Sequence, residues 1–239
     1  MQRRTCVFLL IVLLVVAPHQ AAAEEIMIGA ASDLAFAIRD LVAGFAQATR
    51  HTARFSTSAS GNLYAQIQNG APFDLFFSAD VDYPRRLEAA GFVEPGSLYI
   101  YAIGKVVVWV RNDSPLDVNT GWAALLDPRA RRIAVANPET APYGRAAVAA
   151  LRSAGIYDRV ASRLVYGENI SQAAQFVESG SADAGVLSLS FTAADTMRGR
   201  GRWWVVPVES YPRLEQAAVV LRSSQKKAAA RAFMDYMRS

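Results

Sequence analysis

The chain has 239 residues, 52% of them hydrophobic and 19% charged, with one cysteine, two histidines and a formal net charge of +4. That length allows one or two domains, and the apolar content is enough for a sizeable core. So few cysteines and histidines exclude a disulfide-stapled scaffold and leave no zinc or redox-metal cluster.

The first segment in chain order is an export signal. Met1-Gln2-Arg3-Arg4 is basic, Val7 to Ala17 is apolar but too short to span a bilayer, and Ala21-Ala22-Ala23 offers a small-residue cleavage site before Glu24. Together they predict a secretory signal peptide over residues 1–23, cleaved near Ala23. An uncleaved anchor would want about 20 apolar residues. Cys6 lies inside the apolar stretch rather than at its end, so a lipid-anchored cysteine is not expected. The mature chain then has no cysteine, and its charge falls to +2 because Arg3 and Arg4 leave with the signal.

Beyond it, short apolar runs alternate with amphipathic segments, the signature of α/β architecture. Strands are expected over residues 26–30, 53–58, 74–77, 106–110, 133–136, 163–166, 184–187 and 204–208. Leu34, Ile38, Leu41, Val42 and Phe45 make one helical face, and Ala173, Ala174, Phe176 and Val177 another. Trp109, Trp203 and Trp204 fall in strand-like runs and are expected to pack in the core or a hinge. Arg198-Gly199-Arg200-Gly201-Arg202 reads as a solvated loop, so no nucleic-acid partner is expected.

Four junctions from a strand to a helix share one construction: Ala30-Ala31-Ser32-Asp33-Leu34, Ser58-Ala59-Ser60-Gly61-Asn62, Thr140-Ala141-Pro142-Tyr143-Gly144 and Glu168-Asn169-Ile170-Ser171-Gln172. A helix start leaves about four backbone N–H groups without intrahelical partners, and the macrodipole adds roughly half a positive charge there. If the four converge, the hydroxyls of Ser32 and Ser60 and the N–H groups of Asp33, Tyr143 and Ile170 could ring a dianion with neutral donors. The same residues also serve plain capping in any α/β protein. Spacing alone therefore reaches only an exported α/β protein, with anion binding and capping both open.

At these junctions the sequence resembles the periplasmic molybdate-binding proteins of ABC importers. The resemblance is carried by Ala30 to Leu34, Ser58 to Gly61, the block from Gln66 to Asp80 that ends in Phe77-Ser78-Ala79-Asp80, Tyr101 to Lys105, Asn137-Pro138, Ala141 to Gly144 and Glu168-Asn169. It implies a two-lobed type II periplasmic-binding-protein fold, each lobe a mixed sheet flanked by helices, with the ligand in the cleft. Lobe one would comprise residues 24–103 and 207–239 and lobe two residues 104–206, joined by crossings near Tyr101 to Lys105 and Val206 to Ser210. Carried over by position, the family's ligand contacts fall on Ser32, Asp33, Ser60, Tyr143 and Ile170. Ser32, Ser60, Tyr143 and Ile170 would approach the metal atom only through the oxygens of molybdate, with no direct ligation. The resemblance further implies a monomeric periplasmic receptor for molybdate or tungstate, with no cofactor, that delivers its ligand to a membrane permease.

Two departures from the family stand out. Asp33 replaces the neutral Asn or Ser of some relatives, and its carboxylate is expected to point away from the ligand, leaving only its N–H inward. Relatives usually continue past the last helix with a short helix and a tail, whereas this sequence reads Tyr236-Met237-Arg238-Ser239, which predicts some lost packing in lobe one. The alternatives are a receptor for sulfate or phosphate, a two-lobed enzyme, or a sensor domain. His51, between Arg50 and Thr52, reads as a surface turn rather than part of a triad. Asp74, Asp80 and Asp82 lack the glycine and terminal glutamate of a calcium loop. Porphobilinogen deaminase, which shares the fold, needs a cysteine that the mature chain lacks, and a regulator's effector domain would need a DNA-binding segment where the signal peptide stands.

Overall fold

The computed structural model describes residues 23–194 and 197–239, so most of the expected signal peptide, including Cys6, lies outside the described residues. Two five-stranded mixed sheets carry the molecule, each flanked by helices. The first sheet is built by β1 (Glu25–Ala31), β2 (Thr52–Ser58), β3 (Leu75–Ser78) and β4 (Tyr99–Gly104), interleaved with α1 (Ala37–Ala48), α2 (Ser60–Gln68) and α3 (Asp82–Ala89). The chain then passes through Lys105 into the second sheet. There β5 (Val106–Arg111), β6 (Ile133–Ala136), β7 (Leu164–Gly167), β8 (Ala184–Ser188) and β9 (Gly201–Val205) alternate with α4 (Ala123–Leu126), α5 (Pro142–Ser153), α6 (Tyr157–Val160), α7 (Ile170–Glu178) and α8 (Ser190–Ala193). Residues 206–213 lead back to the first sheet, which β10 (Leu214–Val220) completes before α9 (Lys227–Arg238).

The orders are β2-β1-β3-β10-β4 and β7-β6-β8-β5-β9. Each sheet has three parallel strands followed by one antiparallel strand and an edge. Parallel neighbours need a crossover, and helices supply it, so both faces of the central strands are covered. That is why Val106 to Val110 is a continuous apolar run with every residue buried. In the first sheet, Ile26, Ile28 and Ala30 face α1 and α9, where Phe45 meets Phe233 edge-on at 5.0 Å. Phe73, Phe76 and Leu87 pack with Leu63 and Ile67 in a separate cluster.

Three strand expectations need correction. β9 occupies Gly201–Val205 rather than residues 204–208, because Pro207 has no N–H to give the ladder. β4 and β10 were not expected as strands. β10 lies between β3 and β4, antiparallel to both, and its pairing with β4 shifts register between Gln216 and Ala217. Trp109 is in the core and Trp204 packs edge-on against Trp122 at 5.3 Å, but Trp203 is 41% exposed. His51 accepts the Glu24 N–H through Nδ1 at 3.2 Å and stacks on Phe45.

Candidate functional site

Ser32, Asp33, Ser60, Tyr143 and Ile170 line one small cavity where the segments of the two sheets meet. Ser32, Asp33 and Ser60 follow strands of the first sheet, and Tyr143 and Ile170 follow strands of the second. The cavity has about 180 Å3 of space not filled by protein atoms, part of it the open mouth. The enclosed part is far smaller, about 10 Å3, room for no more than about one water, so the segments close tightly on one another here.

The four junctions differ in construction. After β1 the chain makes a 3-10 turn, Ser32–Leu34, and α1 begins only at Ala37, so the first junction is not the start of an α-helix. This turn is held from the far side of the cavity: Ser171 Oγ donates to the Ser32 carbonyl and Ser190 Oγ to the Asp33 carbonyl, both at 2.9 Å. At α2 the cap position is Ala59, which makes no side-chain cap. The Ser60 hydroxyl instead accepts from the Ala79 N–H at 3.0 Å, which leaves its own proton to donate. Pro142 opens α5 without losing a hydrogen bond, and the N–H of Tyr143 in the same first turn has no intrahelical acceptor. Asn169 caps α7 by accepting from Gln172 N–H at 3.1 Å, while Gln172 Oε1 accepts from Glu168 N–H at 2.6 Å. Three helices of nine to twelve residues, α2, α5 and α7, thus begin at the cavity and add their positive dipole ends to it.

Asp33 is the one carboxylate among the described residues that line the cavity. Its side chain is not turned outward: the residue is only 3% exposed and lines the cavity. Gln216 on β10 donates through Nε2 to Asp33 Oδ2 at 2.6 Å and to the Tyr143 hydroxyl at 3.0 Å. Asp33 Oδ1 is buried without a hydrogen-bond partner in the protein. Burial dominates its electrostatics and pushes the carboxyl up to about 7, against the lowering effect of the Gln216 hydrogen bond and of its own backbone. Burial likewise raises the Tyr143 hydroxyl well above its ordinary range, helped by Asp33. None of the described residues lining the cavity is Lys or Arg.

Residues 26–239 match the model of the bacterial extracellular solute-binding proteins. The chain belongs to this family. It is 37% identical over 218 residues to the molybdate-binding protein ModA of Azotobacter vinelandii, covering 91% of this chain and 86% of the relative. The ModA protein of Rhodobacter capsulatus is 34% identical over 219 residues, covering 92% of this chain and 84% of its own length. Among solved structures, the periplasmic molybdate-binding protein of A. vinelandii superposes with a TM-score of 0.84 at 34% identity, covering 90% of this chain and 93% of that one. The two helix-flanked mixed sheets are therefore the type II periplasmic-binding-protein fold that the sequence resemblance implied.

Sequence reasoning missed three polar residues that brace the lining of this solute-binding protein's cavity without forming it: Gln216, Ser171 and Ser190. Gln216 sits in the apolar-rich β10, where a lone buried amide was the available signal, and it is 5% exposed. Ser171 and Ser190 lie in first turns, where serine reads as helix chemistry rather than as a donor to another segment. Among the described residues no cluster of His, Cys, Asp and Glu could hold a metal ion directly.

Proposed function

We propose that this chain is the exported receptor of an ABC importer, capturing molybdate or tungstate in the periplasm and handing it to a membrane permease. It works as a monomeric binding protein, without catalysis or cofactor. The observation that carries the reading is a cavity of hydroxyls and helix-start amides with no lining cation, in a chain 34–37% identical to molybdate-binding proteins. A fully ionised oxyanion offers only acceptors, so a wall of neutral donors matches it.

In the cycle we propose, lobe one (residues 24–103 and 207–239) and lobe two (residues 104–206) hinge through Lys105 and the return segment. Ser32 and Ser60 hydroxyls and the N–H groups of Asp33, Tyr143 and Ile170 hold the oxygens, and closure excludes water. Hydrogen bonds to a charged group are worth about 1.5–3 kcal/mol apiece. Five of them outweigh the cost of desolvating the anion and closing the lobes enough for tight binding. The metal atom is met only through its oxygens, so selection against sulfate rests on cavity size, because charge and shape are common to all these anions. The sequence resemblance to secretory signals over residues 1–23 and the extracellular family support periplasmic localisation.

Titration calorimetry of the mature protein against molybdate, tungstate, sulfate and phosphate tests the reading. The expected result is tight binding of molybdate and tungstate with at least about tenfold weaker sulfate. Tight phosphate binding with no molybdate binding overturns it, and would mark Asp33 as the acceptor of hydrogen phosphate's proton.

A further inference from the structure

Beside the cavity, but not lining it, runs a second set of contacts between the same two groups of segments. Arg145, in the first turn of α5, reaches across to the loop after β3: its Nη2 donates to Asp80 Oδ2 at 2.5 Å and its Nη1 to the Tyr83 hydroxyl at 3.2 Å. The guanidinium also lies 5.3 Å from the centre of the Tyr83 ring. The receiving carboxylate is held in place, since Asp80 Oδ1 accepts from the Tyr83 N–H and from Ser78 Oγ, each at 3.2 Å. Asp80 is 7% exposed, so the ion pair is shielded on one side from the solvent that weakens surface pairs. Next to it, the Gly61 N–H donates to the Thr140 carbonyl at 2.9 Å, again from the first sheet's segment to the second's.

Gly61 is required there by space. A Cβ on it would stand 2.6 Å from the Tyr83 hydroxyl and 2.8 Å from the Thr140 carbonyl oxygen, closer than real Cβ contacts come. The tyrosine can swing aside, but the Thr140 carbonyl is backbone on the opposing lobe, and it yields only if the lobes part. The contact therefore exists in the closed arrangement and is blocked by a single methyl group.

We infer that Arg145, Asp80 and Tyr83, with the gap left by Gly61 against Thr140, form a latch that sets how far the lobes close independently of the ligand. This rests on the two-lobed closure in the reading above, and adds to it two positioning residues, Arg145 and Gly61, that do not touch the oxyanion. A protein whose binding-competent state is populated at a fraction f binds every ligand more weakly by the factor 1/f. The latch acts on f alone, so it tunes affinity for all oxyanions equally and leaves selectivity to the cavity.

The test uses the full mature chain as wild type, Arg145→Met and Gly61→Ala. Lobe separation is read without any oxyanion, from small-angle X-ray scattering and from a fluorophore pair on one engineered cysteine in each lobe. Both variants are expected to shift the unliganded protein toward the wider separation, and to weaken molybdate and tungstate by one common factor, about tenfold for Gly61→Ala. Their melting temperatures check that they are folded, and Arg145→Lys, which keeps the charge, is expected to fall between wild type and Arg145→Met. Equal lobe separation in wild type and both variants overturns the latch, as does a loss of affinity confined to one anion. Should the wild type bind no molybdate while the variants still open, the latch stands and the ligand assignment falls.

Discussion

Asp33 carries the sharpest chemistry at the scale of single residues. A carboxylate about 4 Å from a dianion would cost roughly 8 kcal/mol at an effective dielectric near 20, about the whole worth of a micromolar affinity. The cavity avoids that cost by burial, which raises the carboxyl to about 7, so the group is neutral on the acid side of neutrality. Bound dianion favours the neutral form further. The sign follows: below about pH 7 Asp33 already holds its proton and affinity is flat, whereas above it binding must take up a proton. Molybdate affinity is expected to fall by up to about tenfold per pH unit on the alkaline side, and Asp33→Asn to flatten the profile. Titrations from pH 6 to 9 in two buffers of different ionisation enthalpy check this; a wild-type profile as flat as the variant's would place the carboxylate away from the anion. The groups facing Asp33 are Gln216, Tyr143 and Tyr101. The residues at the cavity could be named because four strand-to-helix junctions repeat one construction and the family resemblance falls on the same positions; singly, serine, proline and asparagine at strand ends read as caps. Gln216 was not legible, because a single amide in a strand has no pattern to betray it.

Elements were legible in proportion to how local their causes are. The strands β1, β3, β5, β6 and β8 could be read from apolar runs, since strands covered on both faces are apolar along their length, whereas the edge strand β2 shows itself by alternation, with Ala53, Phe55 and Thr57 on the less exposed face. β4 and β10 could not. β4 alternates exposed and partly buried residues, and Leu214-Glu215-Gln216-Ala217-Ala218-Val219-Val220 opens with residues of low strand preference, so its extended form is imposed by β3 and β4 on either side. The start of α5 is set by close approach: a Cβ at Gly144 would collide with the Ala136 carbonyl oxygen at the end of β6. Gly144→Ala would gain about 1 kcal/mol of helix propensity. Forcing atoms into a packed site costs about 1–3 kcal/mol, and here the obstacle is backbone, so the loss is expected to win. Chemical denaturation should find the variant about 1–2 kcal/mol less stable; a variant more stable than wild type would mean that α5 can slide along the sheet.

On the scale of the whole molecule, both sheets repeat one plan, and the chain leaves the first sheet before finishing it. β10 returns after the entire second sheet to fill the gap between β3 and β4. This was legible only through resemblance, since nothing in composition marks where a discontinuous lobe resumes. In the proposed reading the ligand sits in the cavity that draws residues from both sides of that excursion, so binding ties the lobes together and stabilises the native state as one body. Ligand at a thousand times its Kd adds about 4.1 kcal/mol. At about 2–4 °C per kcal/mol for a chain of this size, molybdate should raise the melting temperature by roughly 8–16 °C over an equal concentration of sodium chloride. A shift within about 2 °C would mean that the anion is held by one lobe only or not at all.

The irregular step between Gln216 and Ala217 also limits what can be transplanted. Such bulges re-aim a side chain, and here the side chain concerned is the one that grips Asp33 and Tyr143 together. An engineer who copied the visible wall of serines and helix ends onto a sibling scaffold with an even strand at this place would lose that amide's direction. Asp33 would then lose the hydrogen bond that opposes the rise of its carboxyl, and the borrowed pocket would hide an acid with a partner on neither oxygen.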